Sequence, residues 1–340
     1  MGEKIILGLS GGMDSAYVAI QLLEAGYDVT GVYALMHDSC DGTDEAKRLA
    51  RALGIELKTV DARPSFEKEV VLPFVSDYVS GRTPNPCVMC NPAVKFKTLL
   101  DVADSLGIEK IATGHYAKPC IYNERYSFAP SADKTKDQCY FLYGLSQETI
   151  KRTLMPLAQV LKNDIKQFFA VNNIYNFTKG ESTDICFAAN GYRSVIAAHT
   201  ELPPDGDFVD TQGRVLGRHK GLHNYTVGQR KGLGIALGKP AFVKSLDGAN
   251  NRVVLSFAEG FVADAFKVRD INCVAASEVK AGDSYEVKVR YRAAAVKCTV
   301  ESVDKGVVTV SFAQPQKPPA AGQSAVFYID GVVAFGGIIC

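Results

Sequence analysis

The amino-acid sequence lacks the features of a membrane protein, an exported protein and a disulfide-stabilised protein. In its 340 residues no apolar run approaches the roughly 18 residues that a transmembrane helix needs. The segment before Ser10 is too short for the apolar part of a secretory signal. Nine cysteines are an odd number in a long chain, which argues against a disulfide framework. We therefore expect a cytoplasmic protein with no membrane partner and mostly buried thiols.

The sequence also lacks an excess of charge, because 38 Lys and Arg nearly balance 37 Asp and Glu. A nucleic acid must then be bound by a local basic patch. Residues 211–246 contain seven Lys or Arg and no Asp or Glu. Tyr225, Phe242, His219 and His223 are interleaved with these cations. This pattern predicts a phosphate-backbone surface with stacking groups, and a solvated loop face is the alternative.

The order of apolar segments predicts an α/β domain followed by two β domains. The first 115 residues alternate short apolar runs with helical patterns, which is typical of a parallel sheet covered by helices on both faces. After about residue 205, β-branched segments recur at short spacing and predict a small sandwich or barrel. We place the domains at 1–204, 205–262 and 263–340.

The segment SGGMDS at 10–15 is neither a Walker A loop nor a dinucleotide fingerprint. It follows a predicted strand and opens a predicted helix, so Gly11 and Gly12 allow a tight turn beside unpaired helix N–H groups. The hydroxyls of Ser10 and Ser15 can donate, which completes a cradle for phosphate. Asp14 would repel phosphate unless a cation lies between them, which indicates Mg²⁺. The alternative is an ordinary Gly-Gly turn before a helix.

Three cysteines remain to be explained. Cys87 and Cys90 form a C-x₂-C pair, Cys186 follows much later, and the second pair typical of structural zinc sites is missing. The residues alone leave three alternatives open: thiol chemistry with a sulfur carrier and a resolving thiol, an iron–sulfur cluster with one open iron, and a zinc or inert site. Three prolines within 83–92 predict that Cys87 and Cys90 lie on an ordered loop.

Together these segments resemble the tRNA-specific 2-thiouridylases, the MnmA family, over nearly the whole chain. The resemblance rests on SGGMDS, TPNPCVMCN with KFK, TGHYA, KDQCYFLY, STDICF, YTVGQRKGLGI and AGQSAVFY, in this order. It implies membership of the ATP-pyrophosphatase group, with an adenine-nucleotide α-hydrolase-like parallel sheet, a central β domain and a C-terminal β-barrel.

The resemblance also implies a reaction, that of a tRNA-uridine 2-sulfurtransferase. ATP adenylates the C2 oxygen of the wobble uridine in tRNAs for Lys, Glu and Gln, and persulfide sulfur then replaces that oxygen. The implied partners are tRNA and a persulfide donor, either a relay protein or a cysteine desulfurase. In many members Asp occupies the position of Cys87, so a [4Fe-4S] cluster on Cys87, Cys90 and Cys186 is an alternative for this chain.

Residue roles follow from the matching motifs. Cys186 matches the persulfide carrier and Cys90 the partner nucleophile, which ends in a disulfide with Cys186. Asp14 is expected to hold Mg²⁺. The positions that match the ATP site are Gly8, Leu9, Ser10, Gly11, Gly12, Met13, Asp14, Ser15, Ala34 and Gly114. The positions that match tRNA contacts are Asn85, Pro86 and Cys87 at the target base, with His115, Lys136, Asp137, Gln138, Arg290, Tyr291 and Gln323.

Overall fold

The structure is a computed structural model that describes residues 2–172, 177 and 185–340. Ser182, Thr183 and Asp184 of the predicted carrier motif lie outside the described residues. The first part of the chain contains β1 (Lys4–Gly8), α1 (Met13–Glu24), β2 (Asp28–Leu35), α2 (Thr43–Leu53), β3 (Glu56–Asp61), α3 (Arg63–Phe66), α4 (Leu72–Val79), α5 (Pro86–Cys90), α6 (Lys97–Ser105), β4 (Lys110–Ala112), β5 (Lys118–Tyr122), β6 (Arg125–Ala129), α7 (Gln147–Arg152), β7 (Thr153–Leu154), α8 (Lys162–Asn172) and α9 (Tyr192–His199).

Five of these strands form a parallel sheet in the order β3-β2-β1-β4-β7. Strand β1 is apolar along most of its length because both faces are covered. Ile5 and Leu7 pack into a core with α1 and α8, whereas Ile6 packs with α6 on the other face. The predicted parallel sheet with helices on both faces is confirmed.

The strand order determines where a ligand can bind. Strand β1 lies between β2 and β4, so the chain winds in opposite directions on its two sides. In such sheets the crevice at the carboxyl ends of the central strands is the usual ligand site. The loops after β1 and β4, which carry SGGMDS and TGHYA, both end at this crevice.

The prediction that Cys87 and Cys90 lie on a loop is wrong. Pro86–Cys90 is helical, and the helix continues through a π-helical segment, Asn91–Phe96, into α6. Pro86 is tolerated because it occupies the first turn, where no N–H partner is required. The wider π turn contains Pro92, and such turns are frequent at functional sites. Cys87 and Cys90 therefore sit on a rigid helix.

The rest of the chain forms two β units. The central unit is a four-stranded mixed sheet, β10-β11-β8-β9, and the last six strands close into an antiparallel barrel in the order β12-β15-β14-β13-β16-β17. Within the described ranges no helix is both long and apolar enough to cross a bilayer. The strands are β8 (Gly206–Val209), β9 (Val215–His219), β10 (Ala241–Asp247), β11 (Arg252–Phe257), β12 (Ala263–Cys273), β13 (Ser284–Lys288), β14 (Val296–Asp304), β15 (Val307–Gln316), β16 (Ser324–Ile329) and β17 (Val332–Ile339).

The barrel shares a core with the parallel-sheet domain. Val326 and Val333 of the barrel belong to the same buried cluster as Tyr140 and Tyr143. The Tyr140 hydroxyl donates to the Ser324 carbonyl at 2.8 Å. Because buried tyrosine hydroxyls need a partner, this bond fixes the orientation of the barrel against the first domain.

Candidate active site

The loop after β1 is held open as a cradle by its own serines. The Ser10 N–H donates to Ser15 Oγ at 3.2 Å, and Gly12 N–H donates to Ser10 Oγ at 3.3 Å. The Ser15 hydroxyl donates to the Gly12 carbonyl at 2.9 Å. Helix α1 begins after Gly12 without a side-chain cap, so its first N–H groups face the cradle. This arrangement suits an anion.

Two glycines permit close packing around the cradle. Gly11 has φ of +77°, and a Cβ there would lie 2.8 Å from Glu45 Cβ and 2.9 Å from Ala46 N. Gly114 lies against α1, where a Cβ would be 3.4 Å from Ser15 N. The loop after β4 therefore closes against the first turn of α1 and forms the second wall of the cradle.

The remaining predicted nucleotide positions lie along the same edge of the sheet. Gly8 ends β1, Leu9 is buried behind the loop, and Met13 is the first residue of α1. Ala34 is the penultimate residue of β2, the neighbouring strand. The structure thus places all ten predicted ATP positions at the carboxyl edge of the sheet.

Asp14 faces a cation that belongs to the protein. Its Oδ1 atom accepts from Lys162 Nζ at 2.6 Å and from the Tyr116 hydroxyl at 2.8 Å. No three His, Cys, Asp or Glu side chains of the described chain are grouped so that they could hold a metal ion. One carboxylate and the oxygens of a phosphate are a common ligand set for Mg²⁺, so Asp14 suits a metal that arrives with a nucleotide.

Cys87 and Cys90 differ in exposure on α5. Cys87 is exposed, whereas Cys90 is 4% exposed and its Sγ donates to Met36 Sδ at 3.8 Å. Burial raises the pKa of Cys90 to about 11, although the ammonium of Lys95 acts in the opposite direction. The residue Cys87 is exposed as a whole, but partial desolvation of its thiol still raises its pKa, and the charge of Lys95 acts in the opposite direction.

Cys186 belongs to the same electrostatic neighbourhood. Its charge raises the pKa values of both Cys87 and Cys90, which requires proximity. The next residue, Phe187, is buried and packs on Phe66 with a ring separation of 5.4 Å. Phe187 thereby anchors an exposed cysteine beside a buried one. The three predicted sulfur-site cysteines therefore lie near one another as free thiols, but among the described residues they do not form a group that could hold a metal ion.

His115 connects the cradle to the cysteines. Its ring stacks on Phe96 at 5.5 Å, and its Nδ1 lies 3.0 Å from the Thr113 hydroxyl. Burial, and secondarily the charge of Lys95, lowers the pKa of His115 to about 3, so the imidazole is neutral. Because Gly114 touches α1 and Phe96 continues the cysteine helix, the loop after β4 spans both halves of the site.

The predicted tRNA contacts in the segment 136–138 have intramolecular partners. Gln138 Oε1 accepts from Tyr116 N at 2.9 Å, and Asp137 Oδ1 accepts from Ser131 N at 3.0 Å. The backbone N–H of Lys136 donates to the Asp133 carbonyl. These bonds fix the loop next to Tyr116, so Gln138 and Asp137 shape the site. Their contact with tRNA stays a prediction.

The predicted tRNA contacts on the barrel also brace the molecule. Gln323 Nε2 donates to the Thr83 carbonyl at 2.7 Å, just before Asn85 and the buried Pro86. Arg290 donates to the Val227 carbonyl of the central domain at 2.9 Å. Tyr291 packs on Phe141 with a ring separation of 4.4 Å. The barrel therefore positions the entrance to the cysteine helix.

In the basic segment 211–246, several cations are exposed as predicted, but most of the aromatic and histidine rings are not. Arg230, Lys231 and Lys239 are exposed, and Arg230 and Lys239 line a groove of about 280 Å³. The expected stacking groups are mostly unavailable, because Tyr225, His219 and His223 are buried. Phe242 is half-buried and stacks on Phe261 at 5.1 Å. These rings stabilise the small central domain, and that part of the prediction is wrong.

Sequence reasoning missed Lys95, Met36, Tyr116 and Lys162 as parts of the site. Lys95 stands in the KFK motif, but nothing in the sequence shows that it faces the thiols. Lys162 left one signal. A lysine at the first position of a helix opposes the helix dipole, so a nearby anion would favour its presence there.

Family models cover most of the chain. The tRNA methyl transferase HUP domain matches residues 3–190, the tRNA methyl transferase PRC-barrel domain matches 193–256, and the aminomethyltransferase beta-barrel domain matches 263–339. These matches follow the order of the parallel sheet, the mixed sheet and the closed barrel.

Curated relatives agree over the full length. A tRNA-specific 2-thiouridylase MnmA of Clostridium perfringens strain 13 is 39% identical, with 99% of this chain and 98% of the relative covered. MnmA 1 of Clostridium botulinum strain Loch Maree is 38% identical, with 100% and 99% covered. MnmA of Acetivibrio thermocellus is 39% identical, with 99% of both chains covered. The chain therefore belongs to the tRNA-specific 2-thiouridylase family, MnmA.

Proposed function

We propose that this chain is an ATP-dependent tRNA-uridine 2-sulfurtransferase that acts on the wobble uridine of tRNAs for Lys, Glu and Gln. The observation that carries the proposal is that the loop after β4 connects a cradle suited to phosphate with the helix that bears Cys87 and Cys90, which lie near Cys186. Full-length relatives named tRNA-specific 2-thiouridylase supply the substrate class. We propose a cytoplasmic location because the substrate is tRNA.

The cradle performs the activation step. Its helix N–H groups hold the phosphates of ATP while the C2 oxygen of uridine attacks the α-phosphorus and pyrophosphate leaves. Mg²⁺ bound through Asp14 neutralises phosphate charge when present. The C2 oxygen, a poor leaving group in uridine, now links C2 to the α-phosphorus, so that it can leave as part of AMP. Gly8–Ser15, Ala34 and Gly114 are the residues we assign to this nucleotide.

The thiols perform the sulfur step. A donor protein, either a relay protein or a cysteine desulfurase, loads Cys186 with a persulfide whose terminal sulfur attacks C2, and the C2–O bond to AMP breaks. The Cys90 thiolate then attacks Cys186 Sγ, which forms a Cys90–Cys186 disulfide and leaves the second sulfur on C2. An external dithiol reduces that disulfide. Cys87 lines the path of the base together with Asn85 and Pro86.

Burial of Cys90 fits a resolving thiol. Its pKa of about 11 keeps it protonated at neutral pH, so it does not attack the persulfide before the base arrives. The Lys95 ammonium favours the thiolate at the moment of attack. No observation on the described residues favours the [4Fe-4S] alternative.

The target base must leave its stack to reach a buried thiol. An anticodon loop is single-stranded, so this costs less than in a duplex. We assign His115, Lys136–Gln138, Arg290, Tyr291 and Gln323 to tRNA binding around the entrance. Exposed Arg230 and Lys231 add phosphate contacts. We propose that the domain at 1–204 carries out catalysis and that the domains at 205–262 and 263–340 help to bind tRNA.

The test is thiouridine formation on unmodified tRNA with ATP and a persulfide donor. We expect product in the wild-type protein, none in Cys186→Ser or Cys90→Ser, and near wild-type rates in Cys340→Ser, an exposed cysteine at the chain end. Cys87→Ala should keep most activity. Thiolation by Cys186→Ser from the same donor would show that the carrier is assigned wrongly.

A further inference from the structure

Lys162 is a buried lysine at the phosphate cradle. Its side chain is 9% exposed, and its ammonium lies 2.6 Å from Asp14 Oδ1. Lysines are almost never buried without a charged partner. The side chain reaches from the start of α8 to the first turn of α1, and the two helices pack together. Helix α8 therefore places a cation beside the carboxylate on the first turn of α1.

The Asp14 carboxylate accepts only one of the hydrogen bonds that this ammonium can donate. An ammonium has three N–H donors, and Nζ of Lys162 has one acceptor among the described residues. Asp14 is itself shared with the Tyr116 hydroxyl, and its side chain is 34% exposed towards the cradle. Among the described residues, two donors of Lys162 therefore have no acceptor, and they could bind the phosphates of a nucleotide in the cradle.

The backbone of Lys162 is fixed as well. Its N–H donates to Asp133 Oδ2 at 3.0 Å, and hydrogen bonds to Asp133, including those of Thr135 and Lys162, lower the pKa of this carboxyl. The lysine is thus preorganised at both ends, as an electrostatic group in an active site needs to be.

We propose that Lys162 is a phosphate-binding residue of the nucleotide site, which contacts the phosphoryl oxygens of ATP and orients Asp14 beside them. The inference rests on the proposed use of ATP. A charge-assisted hydrogen bond is worth roughly 1.5–3 kcal/mol, so loss of this contact should weaken ATP binding about 10- to 100-fold. Adenosine, which has no phosphate, should bind as before.

A purely structural role predicts a different result. If Lys162 only neutralises Asp14, its replacement loses its effect once Asp14 is uncharged. The informative comparison is therefore Asp14→Asn against Asp14→Asn/Lys162→Met, because neither variant leaves a carboxylate at position 14 without its cation. Lys151→Met, an exposed lysine on α7, is the matched control.

The experiment is calorimetric titration of each purified variant with ATP and with adenosine, without tRNA. We expect at least a tenfold weaker ATP affinity for Lys162→Met relative to wild type and for the double variant relative to Asp14→Asn, with adenosine and Lys151→Met unchanged. Equal ATP affinities within the Asp14→Asn pair would overturn the assignment, as would a parallel loss for adenosine. Failure of the wild-type protein to bind ATP would instead overturn the proposed function.

Discussion

At the scale of single residues, burial and the charge of Lys95 act in opposite directions on the pKa of Cys90. Burial raises the pKa of this thiol, and the nearby ammonium of Lys95 lowers it. Since the thiolate is the nucleophile, the reactivity of Cys90 should follow the balance between these two effects.

Replacement of Lys95 should therefore slow reaction of Cys90. Lys95→Met removes the cation and raises the pKa of Cys90 further, so alkylation near pH 9 should fall several-fold. In the wild-type protein the rate should rise about tenfold per pH unit up to about pH 11. Site-resolved mass spectrometry after a small alkylating reagent measures both. Lys97→Met, which removes an exposed lysine paired with Asp101, is the control and should change nothing.

At the scale of elements, periodicity predicted the sheet and failed at the cysteines. Strand β1 was predictable because Ile5, Ile6 and Leu7 form a continuous apolar run before a Gly-Gly turn. The helix that carries Cys87 and Cys90 was not, because proline counts against a helix except in its first turn, and a π turn has no sequence signal. The Lys162–Asp14 pair was invisible since it joins residues far apart in sequence.

The packing around the cradle can be tested by comparing two glycines that both have a positive φ. Gly11 and Gly54 have φ of +77° and +68°, but only Gly11 has atoms within 4 Å of the missing Cβ. Gly54→Ala should cost about 1–2 kcal/mol of stability and leave ATP binding intact. Gly11→Ala should cost more and weaken ATP at least tenfold, because α2 must move. Urea denaturation and ATP titration measure the two effects; equal losses for both variants would contradict the packing argument.

At the scale of the whole molecule, the barrel supports the cysteine helix. Thr83 N–H donates to the Ala321 carbonyl at 2.8 Å, and Gln323 donates back to the Thr83 carbonyl at 2.7 Å. These two bonds hold the approach to Pro86, where the cysteine helix begins. A tRNA that binds the barrel near Gln323 would contact the same connection.

Loss of this connection should impair catalysis more than tRNA binding. Gln323→Ala removes the 2.7 Å hydrogen bond to the Thr83 carbonyl, worth about 1 kcal/mol, and a longer one to the Pro84 carbonyl. We therefore expect faster hydrogen exchange at residues 83–85 and a several-fold lower thiolation rate. The affinity for tRNA should fall less, since the other contacts remain. Gln314→Ala, at an exposed position of β15, is the control. Unchanged exchange at 83–85 would show that the barrel does not brace this segment.

The central claim is that ATP activates the C2 oxygen of the target uridine before sulfur replaces it. An anticodon-loop RNA whose wobble uridine carries ¹⁸O at C2 tests this directly, by mass spectrometry of the AMP released in a single turnover. We expect one ¹⁸O atom in AMP for each thiouridine formed. If Asp14→Asn is inactive, it should release no labelled AMP. Thiouridine formed with unlabelled AMP, or without AMP, would contradict the central claim.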